Sequence, residues 1–264
     1  MAPAYTHGHH PSVLSAHRWR TVDNSAAYLA GHLRPGLSVL DVGCGPGTIT
    51  AGLAERVAPG RVVAADAAET VLDEARRNTA GLDNVEFAVA DVHALDYPDG
   101  TFDVVHAHQV LQHVADPVGA LREMRRVTRP GGIVAARDVD FGTVVWYPEP
   151  PEMAAWASIY CAVARGNGGE PDAGRRLVSW ARAAGFTDVT ASSSSWCFST
   201  PEEREWWSES WGGRMVESSV AEHAVAGGHA TREELQRIYE GWKAWAAADD
   251  GWFSLTHGEI ICRA

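Results

Sequence analysis

The chain has 264 residues, of which 45% are hydrophobic, and this composition suits a globular protein with a sizeable core. Its formal net charge at pH 7 is −12, so a partner that needs a basic patch, such as nucleic acid or an anionic membrane surface, is disfavoured. No run of about 18 apolar residues suggests a transmembrane helix, and the N-terminus has no signal-peptide pattern, so a cytoplasmic protein is expected.

The four cysteines are Cys44, Cys161, Cys197 and Cys262. They lie far apart in the sequence and form no CxxC pair. Reduced thiols are therefore the expected state, in agreement with a cytoplasmic location.

The first half of the chain alternates between apolar runs and segments with helical spacing. Helices are predicted over 48–57 and 67–80, and a third begins at Asp116-Pro117, an N-cap followed by proline, and stops near 129–132. Single helices between successive strands indicate right-handed crossovers and a parallel sheet. The predicted strands are 37–42, 61–66, 85–91, 102–109 and 133–139.

Ligands of such sheets bind at the carboxyl ends of the strands. In this chain those ends are predicted at Asp41–Gly47, Asp66, Asp91, His108–Gln109 and Asp138–Asp140. We therefore expect the chemistry of the protein in these five places.

The first strand leads into a loop in which three glycines alternate with other residues: Gly43, Gly45 and Gly47. A dinucleotide-binding loop would need its last glycine at position 48, which is Thr48 here. The carboxylate of Asp41 at the loop entrance would also repel a pyrophosphate and favour a cationic ligand. This spacing disfavours an NAD-linked oxidoreductase.

Two more acids end the next two strands. Asp66 follows about twenty residues after the loop, which suits hydrogen bonds to both ribose hydroxyls, and Asp91 could read the edge of an adenine. One ligand accounts for these acids and for the acid in the loop: an adenosine that carries an ammonium group and no phosphates. The sequence therefore indicates S-adenosylmethionine.

The segments "VLDVGCGPGTIT", "VVAADAAETVLDEAR" and the stretch from "VEFAVAD" to "TRPGGIV" resemble the class I S-adenosylmethionine-dependent methyltransferases, in particular the ubiquinone/menaquinone-biosynthesis-type branch that acts on small molecules. The resemblance covers residues 18–140, with every motif in order. It implies an α/β, Rossmann-like fold with a seven-stranded, mostly parallel sheet and helices on both faces.

The resemblance also implies cofactor contacts, residue by residue. Asp41 would help to hold the ammonium group, Asp66 would bind the ribose hydroxyls, and Asp91 would accept the adenine amino group. Trp19 and Arg20 would close over the cofactor, with Arg20 reaching its carboxylate. The expected cofactor-binding set is Trp19, Arg20, Asp41, Gly43, Cys44, Gly45, Gly47, Asp66, Ala67, Asp91, Val92, His108 and Gln109.

Within that set, Ala67 would lie beside the adenine and Val92 would pack on its ring. His108 and Gln109 would lie near the sulfonium and the donated methyl group, although a structural role for His108 is an open alternative. Cys44 has no Lys or His beside it in the sequence, so it is interpreted as a small filler of the loop and not as a nucleophile.

A nucleophile that must lose a proton also needs a base. The candidates are His113, His108, Asp138 and Asp140, and His113 is the predicted base, with His108 beside the methyl group, because a histidine titrates near neutral pH. A helix-capping or core role for His113 is the alternative. A further alternative is methyl transfer without any base.

The second half of the chain matches the family less regularly. Residues 174–189 resemble the helix and turn before the sixth strand, and 189–199 and 251–264 are the predicted last two strands, the last one antiparallel. Capping boxes at Thr200 and Thr231 predict helices between these strands. We expect one methyltransferase domain over 1–264, with N-terminal lid helices at 1–30 and an inserted helical cap at 200–247.

Ten of the eleven tryptophans follow residue 145. They are expected partly to pack the core between cap and sheet and partly to line a pocket for an apolar or aromatic acceptor. The histidines His7, His9, His10 and His17 could bind a metal, but a solvated or lid role is favoured, and no metal site is predicted. A monomer or a homodimer is expected.

Two functions of different classes are compatible with these patterns. The first is a methyltransferase that acts on an oxygen, carbon or nitrogen atom of a small molecule. The second is a sensor or partner subunit that binds S-adenosylmethionine without transferring the methyl group. The long cap favours the first, because a covered cavity suits a reaction that excludes water.

Overall fold

The computed structural model describes residues 18–264, which divide into two compact units. The sheet unit comprises residues 18–138, 173–194 and 257–264, and the helical unit comprises residues 139–172 and 195–256. The N-terminal half of the predicted lid and the four histidines at positions 7, 9, 10 and 17 lie outside the described residues.

Seven strands form one sheet in the order β3-β2-β1-β4-β5-β7-β6. The pairs β1–β2, β1–β4, β2–β3 and β4–β5 are parallel, which confirms the predicted seven-stranded, mostly parallel fold. The strands are β1 Val39–Val42, β2 Val62–Asp66, β3 Val85–Val89, β4 Phe102–His108, β5 Thr128–Tyr147, β6 Val189–Phe198 and β7 Trp252–Arg263.

Helices connect the strands, and their starts follow the predicted capping signals. Asp116 accepts a hydrogen bond from the Gly119 amide at the start of α5, and Thr200 and Thr231 form capping boxes at α8 and α10. The helices are α1 Val22–Ser25, α2 Ala27–Ala30, α3 Thr48–Val57, α4 Glu69–Asn78, α5 Pro117–Val127, α6 Pro151–Gly166, α7 Leu177–Ala183, α8 Pro201–Glu217, α9 Ser219–Ala226 and α10 Arg232–Ala247.

The fifth strand is longer than the sequence analysis predicted. It runs from Thr128 to Tyr147, so Asp138 and Asp140 lie inside it and not at its end. The segment "FGTVVWY" is rich in β-branched and aromatic residues, which favour an extended backbone, and this extends the strand. Only residues up to Arg137 pair with β4, where the register partner of Arg137 is His108.

The two faces of the sheet unit carry separate apolar layers. Leu40 and Val105 pack on one face with Leu121 of α5. Val39 and Val104 pack on the other face with Leu53 of α3. This arrangement follows from the period-two alternation of a strand, and burial of both faces accounts for the nearly continuous apolar character of β1 and β4.

The helical unit has an aromatic core of its own. Trp156 of α6 is fully buried, with its ring centroid 4.9 Å from that of Trp211 in α8 and 4.8 Å from that of Trp242 in α10, both edge-to-face. Such pairs stabilise a core beyond their buried area. These three tryptophans therefore form a packed core within the helical unit. Within residues 18–264, no helix has the length and apolar character needed to cross a membrane.

Gly47 precedes α3 with a left-handed φ of 78°, and a Cβ atom there would lie 2.9 Å from Cα of Ala75 in α4. We expect Gly47→Ala to lower the free energy of unfolding by about 2–4 kcal/mol, because the left-handed conformation and the close backbone approach each carry a cost. Urea denaturation measures this loss. Gly31→Ala is the matched control, since no atom lies within 4 Å of its Cβ position; an equal loss in both variants would contradict the prediction.

Candidate cofactor and acceptor site

The glycine loop after β1 exposes its backbone at one position. Gly43, Gly45 and Gly47 all have left-handed φ angles of 54–78°. A Cβ atom on Gly43 would lie 2.4 Å from Val110 Cγ2, so this glycine is needed for packing. A Cβ atom on Gly45 would meet no atom within 4 Å. Open space therefore lies over Gly45, where a ligand could approach the backbone closely.

Asp41 is buried below this loop, with 2% of its surface exposed. Its Oδ1 lies 2.8 Å from His106 Nδ1, and its Oδ2 accepts a 2.6 Å hydrogen bond from the Thr50 hydroxyl. The sequence analysis missed His106, because only the parallel register of β1 and β4 makes it the partner of Asp41. The other ring nitrogen, His106 Nε2, is buried and has no hydrogen-bond partner in the described part of the chain.

Asp66 at the end of β2 ties the glycine loop to the sheet. Its Oδ2 accepts a 3.0 Å hydrogen bond from the Gly45 amide, and its Oδ1 accepts one of 3.0 Å from the Ala68 amide. A carboxylate has about four acceptor sites, so two remain for the hydroxyls of a ligand. Ala67, which follows on the chain, is exposed beside it.

Asp91 lies on the chain two residues after β3 and is exposed. Its Oδ1 accepts hydrogen bonds of 2.9 Å from the His93 amide and lies 2.9 Å from His93 Nδ1. These hydrogen bonds lower the pKa of the carboxyl, so Asp91 is ionised at neutral pH and can accept a hydrogen bond from a ligand. Val92 is buried against the sheet.

Gln109 links three parts of the sheet unit. Its Oε1 accepts a 2.7 Å hydrogen bond from Arg20, and its Nε2 donates to His257 Nε2 at 2.9 Å. Among residues 18–264 it is the one non-glycine residue with a positive φ, 54°. A strained conformation of this kind is typical of functional sites. Trp19, next to Arg20, accepts a hydrogen bond from Asn24 through its carbonyl.

Two further imidazoles of the sheet unit, from β4 and β7, are buried. The rings of His108 and His257 stack with their centroids 6.3 Å apart. Burial lowers the pKa of both histidines well below its usual range, and Arg20 and Arg137 lower it further. Both rings are therefore neutral at physiological pH. His257 was not in the predicted site, because it belongs to the last strand of the chain.

His113 lies in a 3₁₀ turn, Leu111–His113, and its Nε2 is 2.9 Å from the side-chain nitrogen of Gln112. Burial, with a smaller contribution from Arg20, lowers the pKa of His113 to about 3. A base whose conjugate acid has such a low pKa holds a proton poorly at neutral pH. The structure thus favours a hydrogen-bonding role for a neutral His113 over the predicted role as general base.

The two other candidate bases have different surroundings. Asp138 is fully buried, and its Oδ1 accepts a 3.1 Å hydrogen bond from the Gln112 amide. Burial raises its pKa to about 7, although hydrogen bonds from the Gln112 and Leu111 amides oppose this. Asp140 belongs to the helical unit, where its Oδ1 accepts a hydrogen bond from the Gly142 amide at 3.1 Å.

Cys44 in the glycine loop is a packing residue. Its thiol is buried, and burial together with the neighbouring Asp41 and Asp66 raises its pKa strongly. A thiol in this environment stays protonated and is not a nucleophile. Within residues 18–264, no three His, Cys, Asp or Glu side chains lie together as a metal site.

The geometry fits an adenosine that carries an ammonium group. Open space lies over Gly45, the acids Asp41 and Asp66 flank it within the sheet unit, and His106 Nε2 is a buried polar atom that the described residues leave unpartnered. No Arg or Lys side chain is hydrogen-bonded to either acid in the described residues.

Comparison with known proteins gives a consistent result. The family model described as "Methyltransferase domain" matches residues 33–207. An uncharacterized methyltransferase of Schizosaccharomyces pombe is 33% identical over 268 residues, covering 97% of this chain and 95% of the relative. A probable methyltransferase of Aspergillus luteorubrus is 28% identical over 277 residues, covering 97% and 96%.

The fold is also found among solved structures. The YcgJ protein of Bacillus subtilis superimposes with a TM-score of 0.59 and 17% identity, covering 90% of this chain and 96% of that one. At this identity the likeness concerns the fold alone. Together with the family match over most of the sheet unit, it leads to one assignment: the chain belongs to the class I S-adenosylmethionine-dependent methyltransferases.

Proposed function

We propose that this protein binds S-adenosylmethionine over the glycine loop and transfers its methyl group to a small-molecule acceptor. The observation that carries the proposal is the open backbone at Gly45, whose amide is held by Asp66, above the buried acid Asp41. When bound, S-adenosylmethionine supplies a methyl carbon attached to a positively charged sulfur. The protein binds the reactants, aligns them and excludes water.

The roles of the residues follow from their chemistry. The carboxylate of Asp66 has acceptor sites left for the ribose hydroxyls, and the ionised Asp91 can accept the adenine amino group, with Ala67 and Val92 beside the ring. Asp41 would act on the ammonium group directly or through water. Gln109 holds Arg20 by a 2.7 Å hydrogen bond, which fixes a cation for the carboxylate of the methionine part.

The acceptor would lie near the end of β4. We propose that the neutral imidazoles of His108 and His113 contribute hydrogen bonds and shape there, and that the acceptor is apolar or aromatic. Neutral rings suit this task because they add no positive charge beside a sulfonium. A cytoplasmic monomer or homodimer is part of the same proposal. No observation favours the sensor that binds the cofactor without reaction, so it is not proposed.

Asp66→Ala should weaken binding of S-adenosylmethionine by about 1–3 kcal/mol, because the ribose hydroxyls lose their acceptor. Isothermal titration with S-adenosylmethionine, and with nicotinamide dinucleotides as ligands that should not bind, measures this. Asp83→Ala, an exposed acid of the same unit, is the control and should keep the parental affinity. Unchanged affinity in Asp66→Ala would remove the ribose assignment, and a parent that does not bind S-adenosylmethionine would remove the proposed function.

The acceptor requires a separate assay. Methyl transfer to a panel of phenols, quinols and amines should give a methylated product with at least one class. Binding of S-adenosylmethionine with no transfer to any of them would support the non-catalytic alternative.

His106→Leu should lower the free energy of unfolding by about 3 kcal/mol and weaken binding of S-adenosylmethionine, because Asp41 keeps its buried charge and loses its closest imidazole partner. His106→Asn is the matched variant, since its amide can donate from a position close to that of Nδ1. We expect it to restore most of both losses in urea denaturation and in titration. Equal behaviour of the two variants would show that the imidazole only fills space.

The three helices between β6 and β7 are proposed to act as a cap during the reaction. Hydrogen exchange over residues 200–247 should slow when S-adenosylmethionine is added, because lids of this kind commonly close around their ligands. The exposed faces of α4 serve as an internal control and should exchange at an unchanged rate. Exchange over 200–247 that does not respond to the cofactor would contradict the cap.

A further inference from the structure

Asp138 directly follows the last residue of β5 that pairs with β4. The parallel pairing of β4 with β5 ends at His108 and Arg137, and Asp138 is the next residue on β5. Its side chain therefore lies on the face opposite to Arg137, at the carboxyl edge of the two central strands. This is the edge at which parallel α/β sheets bind their ligands.

The two oxygens of this carboxyl group have different surroundings. Oδ1 accepts hydrogen bonds from the backbone of the turn after β4, from the amides of Leu111 and Gln112. Oδ2 is buried and has no hydrogen-bond partner anywhere in residues 18–264. A cap for the 3₁₀ turn accounts for Oδ1 alone. A buried carboxyl oxygen without a partner is costly, and a ligand that donates an O–H would satisfy it.

We propose that Asp138 is the catalytic base of this methyltransferase and that its Oδ2 receives the proton of a weakly acidic hydroxyl on the acceptor. The proposal rests on the proposed function. It also names the acceptor class, a phenol or an enol, because the acidity of such a hydroxyl lies closer to that of Asp138 than the acidity of an aliphatic hydroxyl does.

The reaction step balances. The hydroxyl proton of the acceptor moves to Oδ2 of Asp138, and an electron pair of the acceptor oxygen forms the new bond to the methyl carbon. The bond between that carbon and the sulfonium breaks, and its electron pair stays on sulfur, which becomes neutral. Asp138 returns its proton to water when the product leaves.

The electrostatic environment supports this role. Burial raises the pKa of Asp138 to about 7, so the carboxyl group gains and loses a proton close to working pH. The pKa of His113 is about 3, which makes its ring the poorer base. The charged groups that act on Asp138 are Arg137 of β5 and Arg20 of the N-terminal segment, and Asp138 acts in turn on Tyr28 of α2. His113 follows Gln112 in the 3₁₀ turn, and the same two arginines act on His108 of β4 and His257 of β7.

Burial moves the pKa values of several groups in this part of the sheet unit away from neutrality. Burial keeps His108, His113 and His257 neutral, and it raises the pKa of Tyr28 well above its usual range. The pKa of Arg137 is about 10 in its contact with Glu259. A pH-dependent step near neutrality that the parent shows and Asp138→Asn lacks therefore reports on Asp138.

The test uses Asp138→Asn in the full chain, because the amide oxygen can still accept from the turn but cannot take a proton. Asp140→Asn, two residues further along the same strand, is the matched control. The first measurement is thermal unfolding between pH 5 and pH 8 without cofactor. Below pH 7 the folded parent holds a proton on Asp138 that the unfolded chain releases near pH 4, so the contribution of Asp138 to stability falls as the pH rises to 7.

Asp138→Asn lacks this proton. Its Tm relative to the parent should therefore rise between pH 5 and pH 7 and then level off, whereas the difference for Asp140→Asn should stay constant. A constant difference for Asp138→Asn would mean that the carboxyl group is ionised throughout, and it would overturn the proposal.

The second measurement is methyl transfer to the phenols and quinols of the panel. Asp138→Asn should bind S-adenosylmethionine within about twofold of the parent, lose about 10²–10⁴-fold in kcat, and lose the rise of kcat/KM through pH 7. His113→Asn should retain that rise. The assignment of Asp138 as the base is overturned if Asp138→Asn has parental turnover or keeps the rise of kcat/KM through pH 7. It is also overturned if the parent methylates amines only. A parent that does not bind S-adenosylmethionine at all overturns the proposed function itself.

Discussion

The site depends on one constraint, which is that parallel strands bring their carboxyl ends to the same edge of a sheet. β1, β2, β4 and β5 obey it, and so three acids and two histidines far apart in the sequence reach one region of the sheet unit: Asp41, Asp66, Asp138, His106 and His108. The strand register also determines which side chains lie next to each other. Asp41 and His106 are paired positions on neighbouring strands, and their side chains lie within 2.8 Å on the same face. A shift of one residue would place an apolar residue beside the acid.

The glycine loop illustrates how backbone and side-chain chemistry combine. Gly43 and Gly47 are required by close packing, whereas Gly45 is open and its amide is held by Asp66. The same carboxylate that is proposed to bind the ribose therefore also fixes the loop on which the cofactor would rest. Binding and preorganisation are coupled through one side chain, so the loop pays little ordering entropy when a ligand arrives.

The sequence predicted the fold well, because the features that indicate it are local. Glycine spacing, capping boxes and strand-end acids are visible within short segments, and the helix over 48–57 has the predicted bounds. The contacts of His106 and His257 were not predictable, because local sequence patterns do not reveal the strand register or the position of the last strand in the sheet. The length of β5 was underestimated for a related reason: its second half reads as an irregular stretch until the sheet is known. The protonation of His113 depends on burial, which no spacing reveals.

The buried imidazoles have a consequence for the behaviour of the protein in acid. Burial lowers the pKa of His108, His113 and His257 in the folded chain, so unfolding in mild acid takes up a proton at each of them. Asp138 opposes this, because it holds a proton in the folded state that the unfolded chain releases. The three imidazoles therefore remove stability as the pH falls through the range of a free imidazole, and Asp138 offsets part of that loss. Histidines that carry no charge in the folded enzyme therefore contribute to its loss of stability in acid.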